Sequence, residues 1–178
     1  MANYCYNAIS FNSLELEKIK ELAESDNAPI FETDVAQLDD VVFITCMSRW
    51  SPPADWFVEM CGDFDITGEM EFDEQGSNFG GVVRVYRKEG RLFKQEHSST
   101  FYEWEYAESS YSRAEFREIY RDDLLESLDC DLSGKTDKER DALYDETVKG
   151  FAGTRKEFIA KYSSGPEELA GSERAHGN

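Results

Sequence analysis

The order in which hydrophobic residues change their spacing constrains this chain more than any other feature. CYNAISF alternates apolar and polar positions, the period of a half-buried strand. LELEKIKELAES then places Leu14, Leu16, Ile19, Leu22 and Ala23 at helical spacing, with Ser13 as the expected N-cap. VVFITCM is a short apolar run of the buried-strand type, and Pro52 and Pro53 suit the first turn of a helix, PPADWFVEMCG, ending near Gly62. Alternation returns in the stretch 65–73. A gapped turn, EQGSNFGG, follows, and then a hairpin, VVRVYRKEGRLFKQE, that turns at Lys88-Glu89-Gly90. With a short extra strand around Ile30–Thr33, residues 1–97 read β-α-β-α-β-β. That order predicts an α+β domain of ferredoxin-like layout, with two helices on one face of an antiparallel sheet.

The remainder changes character. SSTFYEWEYAESSYS is aromatic and acidic and reads as a linker. SRAEFREIYRDDLLESLD is a helix with Phe116, Tyr120, Leu124 and Leu128 on one stripe. TDKERDALYDETVKGFAGTRKEFIAKY reads as one or two more helices, with Gly150 and Gly153 as a break. The expected division is a ferredoxin-like domain over 1–97, a linker and helical extension over 98–162, and a disordered tail over 163–178.

Three motifs in order, ANYCYNAISF, RWSPPADWF and DEQGSNFGG, resemble the YubB-type ferredoxin-like domain family of phage and plasmid proteins. Members open with Ala-Asn-Trp-Cys-x-Asn, where this chain has Tyr4 for the Trp. The Trp-Ser-Pro-Pro turn corresponds to Trp50–Pro53, and the acidic-Gly turn with Phe-x-Gly to Glu74, Gly76, Phe79 and Gly81. The members' Trp-Gly-Thr-Lys-Trp segment has no counterpart here. The resemblance spans residues 1–97 and implies a mobile-element setting without bringing an activity.

Charge supplies the functional expectation. The formal net charge is −19, far beyond the roughly 2–8 that solubility asks of a small domain. Twelve Phe, nine Tyr and three Trp argue for a folded core rather than a disordered acidic chain. Between Glu21 and Val83 fifteen acidic residues face one basic residue, Arg49. The sign reverses over Arg84–Lys94 and returns to acidic over Thr100–Asp131. In the 65–73 stretch Ile66, Gly68, Met70 and Phe72 share one face, and Asp65, Glu69, Glu71 and Asp73 the other.

Catalysis finds little footing. The histidines, His97 and His176, are expected at the surface. HExxH, GxxxxGK[ST] and GxSxG are absent, and Asp63–Thr67 lacks a phosphate-binding loop. The acids at 122–131 lack the ordered Ca²⁺ loop. No catalytic residue, metal or cofactor is assigned. Trp50 reads as packed beneath the Pro-Pro helix start, with Ser51 capping. The scattered Cys5, Cys46, Cys61 and Cys130 read as free thiols of a reducing cytosol, and no signal peptide or membrane span is read.

The expected function is a non-enzymatic acidic binding protein in the host cytoplasm. Its carboxylates would imitate nucleic acid and block a host defence nuclease, a restriction enzyme or CRISPR effector. Candidate contact residues are Asp65, Glu69, Glu71, Asp73, Glu74, Asp122, Asp123, Glu126 and Asp129. Direct nucleic-acid binding is not expected. The alternative is an acidic adaptor that docks its partner through the C-terminal helices.

Overall fold

The computed structural model describes residues 3–169. Seven strands form one antiparallel sheet: β1 (Tyr4–Asn12), β2 (Ile30–Leu38), β3 (Val41–Arg49), β4 (Gly68–Glu74), β5 (Phe79–Lys88), β6 (Arg91–Ser99) and β7 (Glu167–Glu168). Their order across the sheet is β2-β3-β1-β4-β5-β6-β7. Helix α1 (Leu16–Ala23) follows β1, and α2 (Ala54–Asp63) follows β3. The chain then closes with α3 (Phe101–Glu108), α4 (Arg113–Ser127), α5 (Asp137–Thr147) and α6 (Arg155–Lys161). The protein is α+β.

Alternation along the strands divides the sheet into two faces. On one, Ile19 and Ala23 of α1 and Phe57, Met60 and Cys61 of α2 pack against Ile9, Phe11, Ile44, Met70 and Val83. Phe57 lies over Gly68, and its ring is 5.5 Å from that of Phe11. The other, outer face is covered only over β4–β6. There Trp104 of α3 and Phe158 of α6 enclose Val82, with their rings 5.0 Å apart. Gly80 makes this contact possible, because a Cβ there would stand 2.7 Å from the Trp104 ring.

The C-terminal helices hold a second core of their own, built from Phe101, Phe116, Leu124, Leu125, Tyr144 and Val148. Capping boxes start α4 (Ser112 with Glu115) and α5 (Thr136 with Glu139). Between α4 and α5, Arg121 pairs with Asp122, Asp137 and Asp141, and Arg140 with Asp122.

Several expectations are corrected locally. Strand β2 runs nine residues, to Leu38, with an irregularity between Phe31 and Asp34 that lets it pair along β3. The acidic-aromatic segment is a helix, α3, capped by Thr100. Ser13 lies before the cap position of α1, which is Glu15, and its hydroxyl accepts from the Glu15 N–H at 3.0 Å. Gly150 and Gly153 do mark a break, between a 3-10 turn and α6. The segment expected to be a disordered tail from Ser163 is ordered through Leu169. It lies along the edge of β6, with Ser164 N–H donating to Glu96 C=O at 3.0 Å and Leu169 N–H to Leu92 C=O at 3.0 Å. The rest of that tail, with His176, lies outside the described residues.

Candidate partner-binding face

Because α3–α6 cover only the β4–β6 side, the outer face of β2, β3 and β1 is open. Registered across it are Phe31, Met47 and Tyr6 in one row and Ala36, Phe43 and Ser10 in another. Tyr6 is 58% exposed and Phe43 42%. Tyr4 meets Phe31 edge-on at 5.5 Å, with the Arg49 guanidinium over Phe31. Soluble monomers rarely leave such an aromatic area bare, and where they do it commonly marks an interaction site.

Where the open face meets α3, a groove of about 480 Å³ runs between Tyr6, Thr45 and Met47 on its floor and the acidic wall of α3. Five carboxylates line it: Glu32 from β2, Glu71 and Asp73 from β4, and Glu105 and Glu108 from α3. Strand alternation puts Glu71 and Asp73 on the outer face, and the i, i+3 spacing of Glu105 and Glu108 puts both on one side of α3.

Crowding shows in their ionisation. Burial, then the charges of Glu105 and Glu74, push Asp73 up to about 6 from an ordinary 3.8. Burial chiefly also raises Glu71 and Glu108, with neighbouring carboxylates adding to it and Arg155 opposing. Burial and neighbouring carboxylates act on Asp73 with no opposing cation, whereas Glu71 and Glu108 share the single guanidinium of Arg155. A raised carboxylate favours the fold when protonated, so Asp73 adds stability below about pH 4 that is lost as pH rises through about 6. Asp73→Asn is therefore expected to stabilise the protein by about 1–2 kcal/mol at pH 8 and by nothing measurable near pH 4. Urea unfolding at the two pH values checks this, and an equal effect at both would refute it.

The expected contact residues divide into four groups. Glu71 and Asp73 face the groove. Glu69, on the same strand face, is paired with Arg84 of β5 and Arg155 of α6, and Asp65 pairs with Arg87 at 2.9 Å. Glu74 points to the opposite face and is 2% exposed, so it is no part of an exposed acidic surface. Asp122 is held by Arg121 and Arg140, whose hydrogen bonds keep it below the usual carboxylate range despite partial desolvation. Asp123, Glu126 and Asp129 are exposed on and just after α4. The stripe assigned to adaptor docking is largely internal: Phe116 and Leu124 are buried and Tyr120 half-buried, while Leu128 and neighbouring Ile119 are exposed.

Glu32, Glu105 and Glu108 went unassigned from sequence. The signal for the last two is their i, i+3 spacing, which has meaning only on a helix such as α3. His97, expected at the surface, is 1% exposed on the outer face opposite Val82, where burial pushes its pKa down and keeps it neutral at pH 7. Trp50 is likewise not packed beneath the helix start but exposed, and the N-cap of α2 is Pro53, with no cap from Ser51.

Cys5, Cys46 and Cys61 are buried free thiols, each pushed up to about 12 by burial foremost, and so unreactive near neutral pH. Among the described residues, no His, Cys, Asp and Glu side chains group to hold a metal, and no helix is long and apolar enough to cross a membrane. No protein-family model, curated protein or solved structure matches this chain.

Proposed function

We propose that the chain is a non-enzymatic binding protein whose open sheet face receives a basic surface of another protein. The carrying observation is the groove itself, in which five carboxylates on three elements stand beside exposed aromatics. Aromatics on an open sheet can stack nucleobases, but carboxylates beside them repel phosphates. A surface built to grip phosphates, rich in Arg and Lys, matches both features. The partner class proposed is therefore a nucleic-acid-binding protein, and in the mobile-element setting implied by the YubB-type resemblance, a host defence nuclease in the cytoplasm.

The order β2-β3-β1-β4, with α1 after β1 and α2 after β3 on one face, supports a ferredoxin-like reading of that part, extended by β5–β7. The motifs behind the resemblance converge at one end of it. Trp50 N–H donates to Asn3 C=O at 3.1 Å, and Asn3 Nδ2 donates to Ser77 Oγ at 3.0 Å.

The test uses the full chain against host nucleases that cut DNA. Binding should compete with duplex DNA and weaken steeply between about 0.1 M and about 1 M salt, where the screening length falls from ~10 Å to ~3 Å. Reversing Glu105 and Glu108 to Lys should weaken it at least about tenfold, with the circular dichroism spectrum unchanged. A complex that is insensitive to salt, DNA and these reversals, yet lost when Ile119 and Leu128 are changed to Ser, would establish the adaptor reading instead.

A further inference from the structure

We infer that the corner at Trp50 is a pocket for an arginine side chain of a protein partner. It goes beyond the sheet-face reading, because the pocket opens on the opposite face of the sheet and can fail on its own.

The first observation is an outward-held indole. Trp50 has φ 69°, a left-handed conformation that is strained for a bulky residue and persists only where its surroundings impose it. Those surroundings are specific. Trp50 N–H donates to Asn3 C=O at 3.1 Å, and Ser51 N–H to Arg49 C=O at 2.8 Å. Beneath them the buried Asn7 donates to Ser48 Oγ, and Ser48 Oγ donates to Ser51 C=O at 2.7 Å. The network fixes the turn, and the turn leaves the indole 60% exposed.

The second observation is a gap beside it. Gly81 stands in register between Phe72 and Ser98. A Cβ at Gly81 would lie 2.1 Å from the His97 carbonyl oxygen, so no side chain can fill the position. A hollow of about 380 Å³ lies beside the indole, walled by Trp50, Pro52, Phe72 and Phe79.

The third observation is the charge in that hollow. Glu96 lines it, with no basic side chain paired to it among the described residues, next to Ser98 and Ser99. An exposed indole face with a free carboxylate suits a cation. The planar guanidinium stacks on the ring while its fork reaches the carboxylate, which an ammonium does less well.

Heteronuclear NMR of the full chain tests this, with blocked Gly-Arg-Gly as the probe and Gly-Lys-Gly and Gly-citrulline-Gly as comparisons. The arginine peptide should shift the Trp50 indole N–H saturably in the millimolar range. The lysine peptide should bind more weakly and the citrulline peptide not at all. Glu96→Gln, read at the indole, and Trp50→Ala, read at the Ser98 and Ser99 amides that also line the hollow, should each weaken binding at least about fivefold, since a cation–π or charged contact carries that much. Signals from Tyr6, Phe43 and Glu105 should stay still. Equal citrulline binding, an unchanged affinity in Glu96→Gln, no saturable response at Trp50, or a response confined to the sheet face would each overturn the inference.

Discussion

Glu103→Ala is expected to lower the unfolding free energy by about 2–4 kcal/mol, less than for a fully buried charged pair because its partner Lys161 is 44% exposed. Glu103 is 5% exposed and joins α3 to α6. Its Oε1 accepts from Lys161 Nζ at 2.7 Å and from Ala152 N–H at 3.3 Å, and its Oε2 accepts from Ser99 Oγ at 3.0 Å and from the Tyr162 hydroxyl. Truncation leaves an ammonium, two hydroxyls and a backbone N–H without this acceptor, beside the Trp104–Phe158 contact that covers the sheet. Burial disfavours the ionised carboxyl, yet these hydrogen bonds outweigh it and hold Glu103 below the usual range. Its stabilisation is present above about pH 4.5 and lost as pH falls through the folded value. Glu103→Gln, which keeps the shape and loses the charge, should cost less. Urea unfolding at pH 7 measures both, and an alanine variant within about 0.5 kcal/mol of wild type would show the contact to be a surface decoration.

What could be read in advance follows from which interactions are local. The sheet and its two helices were legible because burial on one side writes a period into the chain: Ile9 and Phe11, Ile19 and Ala23, Met70 and Phe72 all mark the same buried face. Which β4 carboxylate faces Arg84 is decided by the register of the neighbouring antiparallel strands, which sets it opposite Glu69 rather than Glu71 or Asp73. Helix α3 was not legible, because both its sides are used. Trp104 faces the sheet and Tyr102 the helical core, so its apolar residues carry no single stripe. The exposure of Trp50 and the burial of Glu74 and His97 depend on partners distant in sequence. The groove is a product of that third kind of information. β4 supplies two carboxylates whose alternation shows, but their company, Glu32, Glu105 and Glu108, is assembled by the fold.

Arg155→Ala is expected to act on that groove in two opposite ways. Arg155 is the one cation among the described residues that touches Glu69, Glu71 and Glu108 together, and its guanidinium lies 6.0 Å from the Trp104 ring centroid. Without it Glu69 keeps Arg84, whereas Glu71 and Glu108 lose their counter-charge while half covered. A loss of about 2–4 kcal/mol at pH 8 follows, reduced from the fully buried value because Arg155 is 32% exposed. Glu71 and Glu108 already titrate high, and removing Arg155 raises them further. The loss should therefore shrink as pH falls and both take up protons. Glu71→Gln in the same chain should restore about 1 kcal/mol, the sign of coupling between contacting groups. Association with a basic partner should move the other way and strengthen at low salt, because the groove wall gains an uncompensated negative charge. Weaker association from a variant that is still folded would place Arg155 itself in the contact and contradict a partner that recognises carboxylates there.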